Sequence, residues 1–500
     1  MRKESRTIAA WTLAAALGVA AIAPAAASAA TASSPPKAVA ISESMDAAVR
    51  QAVKLLMEQG VLNGYGNGTV RPNQTVTQAE AAKLLVLALK LKPAASSEST
   101  LGSEHNGKWY APFAKTAIGN GLFAADDFDP NKAVSEQELA AWVAKAVQRD
   151  ALSARSWMQA ISDGGSPATR GKTARLLVKA EASVRSDEAR ILSVKALDSI
   201  ALEVTTTGPM SLNDETIERS AETFRFDGGL TIVNQPRLKT GSTNTYIVPV
   251  TTLEEGKSYT LTYKGNQKFT FTGSGERIRF EQARQVTNDT FEVEALLANG
   301  VVDYGYVISA YADGRGSNAL VLGEGNTLNG KPLQIISSLR NRTAVLTPAG
   351  GAPMTVSYVG YTQSTDGKQE PKFRLPAGQK LVSGVTYTVS ADWFETKNAS
   401  FVAGSAEPLK LASAQATDSK TLAVTLDSDP GDELFAFRSV KLTGSDGSEL
   451  TAQYRVQTRK GATGTFDLQN GGELKAGVSY AVAPIGDWAV TESDLIVTGL

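Results

Sequence analysis

The chain has 500 residues, a formal net charge of −1, one histidine and no cysteine. That balance leaves no basic footprint for nucleic acid, and the missing cysteines exclude disulfides and thiolate chemistry. One histidine excludes multi-histidine metal sites and most histidine-based triads.

Arg2, Lys3 and Arg6 precede an apolar run from Ile8 to about Ala23, and Ala27-Ser28-Ala29 supplies a small-residue cleavage site. Residues 1–29 therefore read as a secretory signal peptide, followed by a linker at 30–45. The run is alanine-rich and short for a membrane span, and no later stretch reaches the about eighteen apolar residues a span needs. The expectation is an exported chain with no membrane span after cleavage and a noncovalent attachment to the cell.

Residues 53–89 predict a helix, a compact glycine-punctuated loop and a second helix. Val49, Ala52, Val53 and Leu56 recur at the spacing of one buried helical stripe. Gly60, Gly64 and Gly68 punctuate the loop. Thr77-x-x-Glu80 is a capping box, in which the hydroxyl and the carboxylate each take a first-turn N–H. Ala81, Leu84, Leu85, Ala88 and Leu89 form the stripe of the second helix. A unit of about 40 residues buries too little apolar surface to stand alone and should stack on copies of itself.

Two further copies follow. Beyond a polar stretch at 92–107, where His105 reads as a solvated loop residue, Trp109-Tyr-Ala opens the next helix. Ser135-x-x-Glu138 is its capping box, ahead of Leu139, Trp142, Val143 and Ala146. The third copy is abbreviated around 162–167: Thr169-Arg170-Gly171-Lys172 precedes Ala174, Leu177 and Val178, with Lys172 in place of the box glutamate. Asp127, Asp129, Asn131 and Glu138 also fit EF-hand ligand spacing. Lys132, however, holds the position that demands glycine, so no calcium site is expected.

The turn at 60–65 (GVLNGY), the loop at 68–73 (GTVRPN) and the segment at 75–80 (TVTQAE) resemble the S-layer homology (SLH) module of Gram-positive surface proteins. The family pattern T-R-A-E keeps its arginine only at Arg170; Gln78 and Glu136 stand at the matching positions. Copies are assigned to residues 46–91, 92–150 (with a linker) and 151–185. The resemblance implies an all-α trimer of repeats whose grooves hold an acidic secondary cell-wall polysaccharide. The candidate binding residues it implies are Arg170, Gln78, Tyr65, Trp109, Thr169 and Lys172. In this reading helix N-termini offer free N–H groups to a carboxylate, Arg170 adds a bidentate charge with Lys172 beside it, and Glu136 repels an anion.

From Ile191 the pattern changes to period-two alternation of Val, Thr, Leu and Tyr. Leu253-x-x-Gly256-x-x-Tyr259 recurs as Leu381-x-x-Gly384-x-x-Tyr387 and Leu474-x-x-Gly477-x-x-Tyr480. Opening strands recur at 199–204, 289–293 and 420–426, each after a polar turn. Three antiparallel sandwiches are expected, at 186–275, 276–402 and 403–500. They resemble the Ig-like or fibronectin-type modules found beside SLH copies. Extra residues around 303–325 in the middle unit predict a loop or bent hairpin.

No constellation points to catalysis, a metal or a cofactor, and the chain is read as not an enzyme. Glu254-Glu255 and the Asp429, Asp432, Glu433 group sit in turn contexts that suit solvated loops, although a glycosidase needs only two carboxylates. Trp393 and Trp488, each following a closing Tyr strand, suit core packing better than a sugar platform. Two functions remain: a wall-attached structural or interaction protein, or a surface adhesin or carbohydrate binder whose sandwiches hold a ligand. An exposed aromatic row on a sandwich face would favour the second. The outer partner is not named by any motif.

Overall fold

A computed structural model describes residues 45–94 (other than 66 and 68), 101–162, 167–294, 300–303, 320–361, 370–406, 408–431, 434–491 and 494–500. The leader, most of the first linker, Gly68, Asp432, Glu433, residues 163–166 and most of the 303–325 stretch lie outside the described residues.

Six helices form the first part: α1 (Ala47–Glu58), α2 (Gln78–Ala88), α3 (Ala111–Gly119), α4 (Glu136–Ala146), α5 (Ala151–Gln159) and α6 (Arg170–Glu181). The stripe residues Ala52, Val53 and Leu56 of α1 and Ala81, Leu84, Leu85 and Ala88 of α2 are buried. Capping boxes start α2 and α4, at Thr77/Glu80 and Ser135/Glu138. The packing order is cyclic: α2 lies against α3, α4 against α5, and α6 returns to α1. Helices α2, α4 and α6 also meet one another, and one apolar core runs through all six. Just before these three helices the backbone closes a triangle. Val76 N–H donates to Ala168 (3.0 Å), Ala168 N–H to Val134 (2.9 Å), and Val134 N–H to Val76 (3.0 Å). The expectation for His105 is corrected here. Its side chain is 13% exposed, shares a 3.0 Å hydrogen bond with the Tyr110 hydroxyl and packs edge-on to Phe128.

Strands begin at Ile191, with one short helix at Ile217–Thr223. In the third β-unit the order across the sheet is Ala489–Thr491, Leu409–Asp418, Thr421–Leu426, Thr463–Leu468, Glu449–Tyr454, Ser439–Gly444, Ser479–Pro484 and Leu495–Thr498. Strand Leu495–Thr498 comes back against Leu409–Asp418, so the sheet nearly closes. The second unit repeats this order, from Phe394–Asn398 beside Ile278–Gln285 to Thr386–Ser390 beside Ser400–Val402. In both, the first-named edge strand runs parallel to its neighbour and the edge strand at the other end antiparallel. The first unit keeps the order of the seven remaining strands and has no counterpart of the parallel edge strand among the described residues. It is split into a four-stranded and a three-stranded sheet between Arg237–Leu238 and Phe224–Phe226.

The recurring Leu-x-x-Gly-x-x-Tyr motif has one structural meaning in all three units. Gly256, Gly384 and Gly477 turn at φ 71°, 81° and 75°, a left-handed conformation that favours glycine. The turn brings each buried tyrosine hydroxyl back to accept the N–H of the residue after the leucine. The bonds are Glu254 to Tyr259 (3.0 Å), Val382 to Tyr387 (2.9 Å) and Lys475 to Tyr480 (3.0 Å). Trp393 and Trp488 are core residues whose indole N–H groups donate to Thr343 (2.9 Å) and Ser439 (3.1 Å).

The units are joined by side chains that cross between them. Arg149 donates to the Lys239 and Ser242 carbonyls, and Trp157 to Gly241, tying α5 and its N-terminal end to the first β-unit. Ile247 of that unit packs with Val302, Leu322 and Ile335 from the longer middle unit. There Val301–Asp303 pairs in parallel with Gln334–Ile336.

Asp198 is buried between the first two β-units. Burial is the largest influence on its carboxyl and pushes it up to about 7, aided by Glu276 and opposed by the Ile200 and Ala201 N–H groups and Arg342. The folded value lies above the unfolded one of about 4, so the folded state holds the proton more tightly. That stabilisation is full below about pH 4 and is lost as pH rises toward about 7. In calorimetry the melting temperature of this pair of units should fall across that window, and Asp198→Asn should flatten the dependence. Parallel curves for the two proteins would refute it.

Candidate functional site: the grooves of the helical domain

The residue after each helix cap reaches the neighbouring helix pair. Arg170, first in α6, is 6% exposed. Its Nε donates to the Val70 carbonyl (3.0 Å) and its Nη2 to that of Asn63 (2.9 Å). Its Nη1 lies 3.7 Å from Glu80, and its guanidinium sits over the Tyr65 ring at 4.9 Å, with Arg71 over the same ring at 4.1 Å. Glu136, first in α4, pairs with Lys172 at 2.8 Å and accepts from the Ser162 hydroxyl at 2.6 Å. The box residue and the incoming residue have thus exchanged charge relative to Glu80 and Arg170. Gln78, first in α2, is 2% exposed, and its Oε1 accepts the Asp129 N–H at 2.9 Å. In that groove Lys132 supplies the cation, 3.6 Å from Glu138. The Glu138 carboxyl is held below its ordinary value, first by the Ser135 N–H and then by the Ser135 hydroxyl, with Lys132 adding.

Three expectations are corrected by this arrangement. The N–H groups at two helix starts are not free: Gln78 donates to Lys132, and Arg170 and Gly171 donate to Gln74 and Pro72. Glu136 is not an uncompensated charge, because Lys172 neutralises it. Arg170 and Lys172 do not act side by side; one turns to Glu80 and the other to Glu136. Of the six candidate residues, Arg170, Tyr65 and Trp109 gather around one groove. Gln78 lines another, Lys172 the third pairing, and Thr169 serves as the α6 cap, accepting the Lys172 N–H at 3.4 Å.

The first groove, about 230 Å³, is lined by Val61, Asn63, Glu80, Lys83, Trp109 and Arg170. Trp109 is 56% exposed, and the Lys83 ammonium lies 6.0 Å from its ring centroid. A cation beside an open aromatic face suits an anionic sugar: the ring takes the apolar face and the ammonium the carboxylate. Lys83 escaped the sequence reading, although it follows Glu80 by three residues and so shares its helix face. The second groove, about 530 Å³, is lined by Gln78, Phe123, Lys132, Glu138, Trp142 and Lys145, among others.

The caps differ in strength. Thr77 both accepts the Glu80 N–H (3.3 Å) and donates its own N–H to that carboxylate (3.1 Å), whereas Thr169 has no reciprocal bond because its partner is a lysine. Thr77→Ala should cost about 0.5–2 kcal/mol, and Thr169→Ala less. Chemical denaturation of the two variants compares them directly, and equal losses would contradict the distinction.

Residues 42–82 match the family model of the S-layer homology domain. Over 128 residues the chain is 30% identical to a surface layer protein of Brevibacillus choshinensis, covering 24% of this chain and 12% of that protein. It is 32% identical over 94 residues to a surface-layer 125 kDa protein of Lysinibacillus sphaericus, covering 18% of this chain and 8% of the other. Among solved structures, the S-layer protein rSbsC(31-844) aligns over 91% of this chain and 73% of its own at 12% identity. Its TM-score of 0.15 is too low to inform the fold. Among the described residues no helix is long and apolar enough to cross a membrane. Residues 42–82 thus carry an S-layer homology domain, which marks the chain as an exported protein of the cell wall or surface.

Proposed function

We propose that the chain is a structural or interaction protein of the cell surface, held noncovalently by its helical domain to an acidic wall polysaccharide. The helical part is read as an SLH-type trimer of repeats, and the three β-units as Ig-like sandwiches that project from it. The observation that carries the reading is the first groove, where exposed Trp109 and half-buried Lys83 flank buried Arg170 and its half-buried partner Glu80. In this groove Arg170 shapes the wall, and Lys83 meets the anion. The adhesin reading has less support. Tyr361 and Phe437 are the exposed aromatics among the described β-residues, and they belong to different units.

Sedimentation of the full chain with purified wall sacculi, before and after removal of their acidic polymer, tests the reading. Binding that survives removal of the polymer would overturn it. Lys83→Gln should weaken binding about tenfold, the equivalent of one contact of about 1.4 kcal/mol, while leaving the melting temperature in place. Unchanged binding would move the anion contact elsewhere.

A further inference from the structure

Each junction between β-units is crossed by a buried arginine, Arg342 donating to the Val250 carbonyl (2.7 Å) at the first and Arg438 at the second, but among the described residues the first also shares an apolar core. At the first, Ile200 of the first unit is fully buried within the apolar core of the second. Its carbonyl accepts from Ser337 at 2.9 Å, and the Ile247–Val302–Leu322–Ile335 cluster adds a second apolar contact. Aligning the turns through the bonds Leu253 to Ser199, Leu381 to Asn288 and Leu474 to Ser419 places Asp289 of the second unit where the first has Ile200. At the second junction this aspartate faces Arg438 of the third unit, whose Nη1 and Nη2 each donate to it at 2.8 Å. Arg374 of the second unit reaches the Ala436 carbonyl at 3.0 Å, and Asn288 reaches that of Asp487 at 3.2 Å. Lys380 meets Asp487 at 2.9 Å near the surface. Among the described residues, no apolar core contains side chains from both the second and the third units.

We propose that the second junction is held shut by an electrostatic latch, without which the third β-unit swings, whereas the first junction is a fixed joint that its shared apolar core holds independently of any one ion pair. Asp289 pairs with Arg438, and its charge also offsets the repulsion between Arg438 and the half-buried Arg374. Apolar burial at the first junction is non-directional and spread over several side chains, so losing one polar contact does not free it. The bidentate pair needs the fork and the carboxylate in register, so it is made or broken as a unit. Burial acts to raise the Asp289 carboxyl, but the Arg438 bonds and charge and the Thr287 and Thr290 hydroxyls outweigh it and hold the group at about 2. The latch is therefore charged and shut across the ordinary pH range, and its release requires loss of a partner.

The chain has no cysteine, so paired spin labels can be placed at will. Labels at Asn398→Cys and Thr443→Cys span the second junction, and labels at Lys268→Cys and Asn398→Cys span the first; all three positions are exposed. In the full chain both distance distributions should be narrow. Asp289→Asn should broaden the second at least twofold in width and leave the first unchanged. Arg438→Gln, which spares the threonine bonds of Asp289, should do the same. Circular dichroism melts select samples in which every unit is folded. A second-junction distribution as narrow as the parent's in folded Asp289→Asn or Arg438→Gln overturns the latch. Equal broadening at both junctions overturns the contrast between them.

Discussion

Replacing Arg170 with alanine should destabilise the helical domain by about 2–4 kcal/mol, a larger loss than any cap substitution. The side chain is a buried staple between the last helix and the first helix pair. Its removal strands the Val70 and Asn63 carbonyls, which lose donors at 3.0 and 2.9 Å, and leaves Glu80 without its cation. The Tyr65 ring also keeps only Arg71 as its stacking partner. Arg170→Lys should recover less than half of the loss, because one ammonium cannot serve two carbonyls and a carboxylate in a fixed fork. Far-ultraviolet circular dichroism melts report the effect. Wall sedimentation should fail for Arg170→Ala at temperatures where its helices have melted and persist where they have not, unlike Lys83→Gln. A melt within half a kilocalorie of the parent would show that Arg170 is not structural.

The second large effect is expected at Lys372. It stands opposite Glu292 across neighbouring strands, the two groups 2.8 Å apart and both fully buried. Arg284 also reaches Glu292, from a half-exposed position. Lys372→Met leaves the buried Glu292 carboxylate with the half-exposed Arg284 in place of a buried cation and should cost up to about 3–5 kcal/mol, whereas Glu292→Leu with Lys372→Met should restore most of it or exceed the parent. The third unit supports this. Its matching pair is Ala423 opposite Thr465, so the strand pairing itself does not require the charges. Urea denaturation of the single and double variants decides the matter; a double variant as weak as the single one would contradict the argument.

What was legible in the sequence was local. The boxes at Thr77 and Ser135 and the apolar stripes of α1, α2 and α4 are encoded within a few residues of one another and fold as the pattern implies. The Leu-x-x-Gly-x-x-Tyr motif was visible as a repeat. Its hydroxyl bond was not, because the motif does not say that the turn folds the ring back onto the leucine's neighbour. Arg170 was singled out for the right position and the wrong occupation. The carbonyls it holds, at Val70 and Asn63, lie about a hundred residues earlier, and only the packing of α6 on the first pair brings them within reach. Glu136 looked repulsive for the same reason: Lys172, its partner, belongs to a different copy. His105 sat in a polar stretch, yet Tyr110 and Phe128 enclose it. The parallel pairing of Val301–Asp303 with Gln334–Ile336 was not foreseen, being a contact across too many residues for periodicity to announce.

The hydrogen-bonded triangle of Val76, Val134 and Ala168 means that the helical domain has no terminal copy. A linear array of repeats loses one interface when an end unit is trimmed, and it can carry a degenerate unit at its edge. Here α6 returns to α1, so cutting the chain before Ala151 removes two helix–helix faces at once, α4 on α5 and α6 on α1. The same excision also leaves the Val76 N–H without its acceptor. The segment from α5 to α6 is thus the closing link of a loop. The first helix pair is held in place by the helix made last, and the ring of contacts stays open until that helix has arrived.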